Sequence, residues 1–585
     1  MAAEVSIAPQ RPVRWQPVSL TFDGPASSES ATPNPFTHFR LRVTFSHQQS
    51  GEARTALGFF AADGDAAETS AVAGDKWRVR FTPPLAGTWV WRAEFRSGPG
   101  VALNQAVGES VAFDGDSGTL DVGPADPAAP GFASKGFLTP GNGHYLQFSN
   151  GDRFLKGGAD SPENFLGYFE FDETFDTASH AEVSTDRSGF LHRYEPHATD
   201  WRAGDPTWKG SKGKNIIGAL NYLASKAMNS VYFMTYNIDG GDGKDTWVWT
   251  EPEVRDRFDV SKLAQWEIVF AHMERLGIAM HLVIQETEND HKLGGGPGLN
   301  DDRKLYLREL AARFGHHLAI IWNLGEENDT PHADRLAIAG FLRTADPNRH
   351  PVTVHTHNTR SLRSYTALIG SSLFSATSIQ GRMEDTNRET VMLRMRTAAA
   401  GAPWAIFHDE QMPAAVGVLP DAEDPLHDKP RKHQLWGNLM GGGSGVEWYF
   451  GYQYDHMDLN CEDWRSRDRM WDQTRHALEF FQEHLPFWEM WPANGLATDR
   501  NAFVFAKEGE VYAAYMPEAW RTRLAVAPGS YTLHWYDPRN GGDLLAASGG
   551  TVEADQGQMR RAGGLELSPP KDPGKDWVAL LRRVP

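Results

Sequence analysis

The 585-residue chain holds a single cysteine, Cys461. No intramolecular disulfide can form, and no metal site built on several thiolates is available. Nowhere do apolar residues run on for the roughly 18 positions that a membrane span needs. The opening "MAAEVSIAPQRPVRW" lacks the basic-then-apolar order of a secretory signal. The expected compartment is therefore periplasmic or extracellular if an export signal has been removed, and cytoplasmic otherwise. Basic residues are in the minority, 57 against 76 acidic, for a formal charge of −19. Such a surface repels phosphate backbones and anionic lipid heads, so neither nucleic acid nor a membrane is an expected partner. No GxGxxG turn opens the first helical segment, which speaks against a dinucleotide fold. Tandem repeats and low-complexity segments are also missing.

What the chain does have is 40% hydrophobic and 11% aromatic residues, too many for one core at this length. Residues 1–125 carry short alternating runs such as "FRLRVTF" and "TWVWRAEFRSG" between Gly, Pro, Asp and Ser clusters. That period-two pattern predicts an N-terminal β-sandwich. The Pro, Ala and Gly of 126–136 read as a linker. Asn150-Gly151 between two strand-like runs signals a hairpin.

From 137 to 493 strands alternate with helical patterns. The strands are read as "RFLKGGADS", "SVYFMTYN", "AMHLVIQE", "IIWNLGEENDT", "PVTVHTHN", "FSATSIQ", "PWAIFHDEQ" and "GVEWYFG". Eight strand–helix pairs are the number that a (β/α)₈ barrel requires. A doubly wound open sheet is the competing arrangement. Alternation returns in 494–585, which predicts a second β-sandwich. The expected fold class is thus multidomain, a central (β/α)₈ barrel flanked by two β-sandwiches.

In such a barrel the site lies where strands end, so the tips form a chemical inventory. In order they offer Asp160 and Asn164, Tyr236 and Asn237, Gln285 and Glu286, Asn323 with Glu326 and Glu327, His355 and His357, Gln380, Asp409 and Glu410, and Trp448. Carboxylates and amides dominate, and no serine or cysteine nucleophile stands beside a base. The set suits a polyhydroxylated carbohydrate substrate and calls for no cofactor and no metal. Glycoside cleavage needs one protonated and one ionised carboxyl group across the scissile bond, and tips four and seven can supply them. Because strand side chains alternate in direction, one residue of each acidic doublet is expected to face the substrate.

"WNLGEEN" resembles the "WNLGNEP" strand-four ending of the retaining (β/α)₈ glycoside hydrolases called clan A, and "PWAIFHDEQ" is similar to that clan's strand-seven ending. The likeness extends to a bacterial group with an N-terminal sandwich of unassigned function and a C-terminal β-domain named for collagen binding, on "LHWYDPRNGG". It implies Glu327 as acid/base, Glu410 as nucleophile, and a retaining double displacement. Two positions depart from the clan: Glu326 stands for its Asn, and Asn328 for its Pro. Either a carboxylate takes over the Asn contact with the sugar, or Glu326 is itself the acid. The remaining tip residues are expected to bind substrate.

Several features have plainer readings. "VTVHTHN" carries a metal-like HxH, but the further His and Asp of metal-dependent barrel hydrolases are missing, so His355 and His357 read as hydrogen-bonding groups. His408 fits a buried, satisfied residue. Trp201, Trp208, Trp247 and Trp249 on long loops suit either sugar stacking or loop anchoring, while Trp448 suits a sugar platform. "NDHKLGGGPGLNDD" offers oxygens for calcium, or a flexible gate. The competing functional class is a non-catalytic glycan- or matrix-binding protein with a relic barrel. A polysaccharide lyase would need cations that the inventory lacks. Sugar, linkage, endo or exo action and oligomeric state are not encoded legibly.

Overall fold

The computed structural model describes residues 5–104, 108–177, 191–238, 245–357, 361–555 and 564–584. The N-terminal part forms one antiparallel sheet. Its spatial order is Val5–Ala8, Val18–Ser28, Ala73–Phe81, Ala53–Phe60, Phe39–His47, Gly87–Ser97 and Glu109–Ser110, and Ser117–Val122 also pairs with Gly87–Ser97. Val18, Leu20 and Phe22 are buried while Ser19, Thr21 and Asp23 are half-buried, the alternation of a strand with one wet face. The sheet folds back on itself: Phe45 stacks on Phe81 at 4.0 Å and Phe22 meets Trp91 at 5.7 Å, although their strands are not neighbours.

The segment read as a linker is docked. Phe132 is buried with its ring 5.0 Å from Phe148, and Gly131, at φ +57°, lies so close to the Glu274 and Arg275 carbonyls that a β-carbon would collide. At Asn150-Gly151 the turn forms, with Asn150 Oδ1 accepting from the Asp152 amide at 2.9 Å. The hairpin stops at a single bridge, Gln147 to Arg153, because Leu146–Phe148 pairs instead with Leu138–Pro140.

The central sheet is parallel and brings its two ends together. Nine stretches follow in the order Val352–Thr353, Ile320–Asn323, Ala279–Val283, Ser230–Met234, Lys156–Ala159, Gly445–Trp448, Phe407–Met412, Ser378–Arg382 and His355–Thr356. The first and last are one run of chain interrupted at Val354, so strand five pairs with strand four through Trp322 and Val352, and with strand six through His355 and Ser378. A doubly wound sheet, with two separate edges, is excluded. Each of the eight predicted strands overlaps an observed one. Helices Lys214–Ser225, Val260–Leu276, Asp301–Phe314, His332–Ala345, Ser361–Thr366 and Thr386–Ala399, helical residues 430–440, and Asp468–His484 follow them in turn. Their ends are chemically set: Asp259 Oδ1 caps the Lys262 amide at 2.8 Å, and Gly277, at φ 78°, closes that helix.

Both flanking units are fastened to the barrel helices. On the N-terminal side Arg80 pairs with Glu267 at 3.1 Å, and Arg313 donates to the Phe60 carbonyl at 3.0 Å. The C-terminal sheet runs Trp491–Pro492, Phe503–Lys507, Val511–Met516, Trp577–Arg583, Gly529–Tyr536, Leu545–Ala554, with a small second sheet of Thr522–Leu524 and Leu565–Leu567. It meets the barrel through a buried pair, Arg431 to both oxygens of Asp576 at 2.9 and 3.0 Å, and through Trp436 stacked on Tyr515 at 4.9 Å. No helix among the described residues is long and apolar enough to cross a membrane.

Candidate active site

The strand tips converge on a carboxyl-rich mouth. Glu410 lies directly across from Gln380 in the strand-six to strand-seven ladder, just past an irregularity that leaves Asp409 without a partner residue. This extra residue breaks the alternation expected of strand seven. Asp409 and Glu410 both face the barrel axis as a result, Asp409 one level deeper. His408 points outward instead, to Thr390 at 3.2 Å.

After strand four the chain turns through Gly325 at φ 139° and Glu327 at φ 35°, a left-handed conformation that costs a non-glycine residue energy and is often found at functional sites. Three bonds hold it: the Glu326 amide to the Gln285 carbonyl at 2.9 Å, Thr287 Oγ1 to the Glu327 carbonyl at 2.8 Å, and the Asn328 side chain to the Leu324 carbonyl at 3.2 Å. The turn sends the adjacent acids apart. Glu326 is 3% exposed, whereas the Glu327 side chain is 37% exposed at the rim.

One amide ties the two candidate catalytic acids together. Gln380 Nε2 donates to Glu327 Oε1 at 2.6 Å and to Glu410 Oε2 at 2.5 Å, which holds those two oxygens within about 5 Å of each other. His357 bridges Glu327 at 3.0 Å and Asp329 at 3.1 Å. His355 Nδ1 lies 2.6 Å from Glu326 Oε2 and 2.8 Å from the Tyr232 hydroxyl, with its Nε2 3.5 Å from Glu410 Oε2. Glu326, His355 and Glu410 are close enough to suggest a metal site. Both nitrogens of His357 face carboxylates.

Electrostatics follow from burial among like charges. Burial, then the charges of Glu326 and Glu327, push Glu410 well above the usual carboxylate range, and the Gln380 bond opposes them. Glu326 is raised by burial and by Glu327. Asp160, buried at the end of strand one, is raised by burial and then by Glu326, Glu410, Glu447 and Asp458. Burial lowers His355 to about 4, so its imidazole is neutral near pH 7.

Below the mouth lies a second polar layer where barrels ordinarily pack apolar side chains. Lys156 Nζ contacts Asp409 at 2.6 Å and Glu447 at 2.8 Å, His281 Nδ1 contacts Glu447 at 2.7 Å, and Ser230 donates to the same carboxylate. Burial raises Glu447, but Lys156 and His281 override it and hold the group down at about 2.

The structure thus brings Asp160, Glu326, Glu327, His355, His357, Gln380 and Glu410 to one mouth. The other expected substrate ligands also bond within the protein. Asn323 bonds His281, Ser378 and the His355 amide; Tyr236 accepts from Arg255 at 2.7 Å; Gln285 accepts from Arg303. Asn237 accepts from Asn289 at 3.2 Å, Asn164 contacts His192 at 2.7 Å, and Glu286 caps the Thr287 amide at 2.7 Å. Trp448 is corrected from a platform to a core residue: strand alternation turns it outward, fully buried, with its indole donating to Thr474 of the closing helix at 2.8 Å. Trp208, Trp247 and Trp249 are buried loop anchors, and Trp201 is half-buried with its indole on the Pro206 carbonyl. Residues 240–244 of the Trp247 loop lie outside the described residues. In the loop 289–302 the Asp290, Leu293 and Gly298 carbonyls accept from Arg303 or Asn300.

Sequence reasoning overlooked Glu163, Asp458, Tyr232 and the Lys156–His281–Glu447 floor. "ADSPEN" carried a signal for Glu163, three residues beyond Asp160. Asp458 sits in a long loop with no pattern around it.

Comparison with known proteins places this geometry in context. Residues 12–96 match a family model described as a domain of unknown function, DUF5060. No curated protein sequence matches the chain. Among solved structures, a candidate glycoside hydrolase from Bacteroides vulgatus ATCC 8482 is 14% identical, with 98% of this chain and 100% of that one covered at a TM-score of 0.66. A glycoside hydrolase family 5 protein from the same strain is 13% identical over 78% of this chain and 95% of its own, with a TM-score of 0.54. A third, described as a glycoside hydrolase, is 13% identical over 78% and 98%, at 0.55. At such identities the likeness is one of fold.

Proposed function

We propose that this protein is a glycoside hydrolase that cleaves O-glycosidic bonds in an oligo- or polysaccharide by double displacement, with Glu410 as nucleophile and Glu327 as acid/base. The observation that carries the reading is the shared Gln380 donor, which keeps one oxygen of Glu327 within about 5 Å of one oxygen of Glu410. Retaining enzymes use a spacing of about 5 to 5.5 Å, whereas inverting ones need roughly 6.5 to 9.5 Å to admit a water. A charged pair packed this closely is costly to maintain without a use, which weighs against a purely binding role.

In the first step a Glu410 oxygen attacks the anomeric carbon as the bond to the leaving oxygen breaks, and Glu327 protonates that oxygen. In the second, Glu327 takes a proton from water, which attacks the same carbon and releases Glu410. Rim exposure suits Glu327 to a group that must exchange protons with solvent, and burial suits Glu410 to one that must stay dry. Glu326, buried against His355, takes the sugar-contacting position rather than the acid role. The antiparallel sheets on either side of the barrel are read as β-sandwich domains, with boundaries near 125, 136 and 493.

An activated 2-deoxy-2-fluoro glycoside tests the assignment. Mass spectrometry of the digested enzyme should find the sugar esterified to Glu410. Label on another residue, or inverted configuration of the first anomer seen by proton NMR, overturns it.

A further inference from the structure

Asp160 plays no part in the two steps above, yet it is fully buried at the mouth, and among the described residues no protein group donates to either of its carboxyl oxygens. Its amide is fixed to the Trp448 carbonyl at 3.0 Å, which sets it at the end of strand one. The charges that act on it most strongly are those of Glu326, Glu410, Glu447 and Asp458, so it stands among the reacting groups. Glu163 and Asp458 extend the same wall: the Glu163 amide donates to Asp458 Oδ1 at 3.1 Å, and the Glu163 carboxyl is acted on by Asp458, Glu326, Asp160 and Glu410. Lys156, the cation of the barrel interior, is engaged one layer down by Asp409 and Glu447.

A buried carboxyl without protein donors is costly, and the cost is relieved by whatever supplies them. Two adjacent hydroxyls on a sugar ring present two O–H donors to the two oxygens of one carboxyl group. A sugar carboxylate or sulfate would instead add an acidic group that offers Asp160 no donor and opposes the ionisation of the acids already crowded there. We propose that Asp160 is a specificity-determining residue that accepts two hydrogen bonds from a vicinal diol of a neutral sugar bound against Glu410, and that the Asp160–Glu163–Asp458 wall excludes anionic sugars. This rests on the glycosidase reading and names the substrate class of that site.

The test uses matched aryl glycosides of neutral hexoses and pentoses, the corresponding uronides, and mono-deoxy analogues of the best neutral substrate. Wild-type kcat/KM should favour the neutral sugar over its uronide by at least about 100-fold, and removal of either hydroxyl of one vicinal pair should cost a comparable factor. Asp160→Asn should lose about as much on the parent substrate, yet little more on those deoxy analogues. Equal turnover of uronides, or a deoxy series with no sensitive vicinal pair, overturns the proposal, and neither measurement depends on the variant folding. If no glycoside of either kind is hydrolysed, the glycosidase reading has failed separately. Calorimetry of the same panel with Glu410→Gln then decides the inference: binding of neutral sugars alone upholds it, and binding of uronides with equal affinity refutes it.

Discussion

Glu327 and Glu410, 83 positions apart in the chain, accept hydrogen bonds from the same nitrogen of Gln380. A neutral donor placed between two acids lessens their repulsion without cancelling either charge. The charge of Glu327 helps to raise the Glu410 carboxyl, and the shared Gln380 bond lowers it.

Glu327→Gln should separate leaving groups. Substrates with poor leaving groups should slow by about 10³-fold, while dinitrophenyl glycosides, which need no protonation to depart, should lose less than about tenfold in the glycosylation step. Equal losses on both would remove Glu327 from the acid role and reopen Glu326.

Gln380→Leu and Glu326→Gln should move the pH profile in opposite directions. The Gln380 bond lowers the Glu410 carboxyl and the Glu326 charge raises it. Attack requires ionised Glu410, so the acid limb of kcat/KM should shift to higher pH in Gln380→Leu and to lower pH in Glu326→Gln. Shifts of the same sign in both variants would contradict this electrostatic account.

Stability should fall as pH rises above the ordinary carboxylate range. Asp160, Glu163, Glu326 and Glu410 are all raised in the folded protein, above all by burial. Below their unfolded values both states are protonated. As pH rises past those values the unfolded chain ionises first, so stability is lost until the folded values are passed. The melting temperature of Glu326→Gln should depend less steeply on pH than that of the wild type. Parallel curves would show that the cluster does not titrate on unfolding.

Asp576→Ala should uncouple the C-terminal sheet. The substitution leaves the buried Arg431 without its bidentate partner, a loss of about 3 to 5 kcal/mol. Calorimetry should show a lower or split unfolding transition, and an unchanged thermogram would deny the pair its role.

Much of the barrel was legible because short apolar runs bounded by turn residues alternate with capped helices, and each run became a strand. The two acidic doublets were legible because charge at the end of an apolar strand is costly and therefore conspicuous. Local pattern could not reveal the irregularity at Asp409, which turns two consecutive side chains inward. Trp448 was misplaced because strand direction says that side chains alternate but not which of the two faces meets the helices.

By itself the sequence determined the parallel strand–helix repeat, the antiparallel flanks and the carboxyl-rich chemistry of the tips, since these rest on periodicity and residue type along the chain. Only the tertiary structure decided that Gln380 would stand between Glu327 and Glu410, that Glu326 would be buried against His355, and that Asp160 would be left without a protein donor. Those are distances between residues on different strands, set by closure of the sheet.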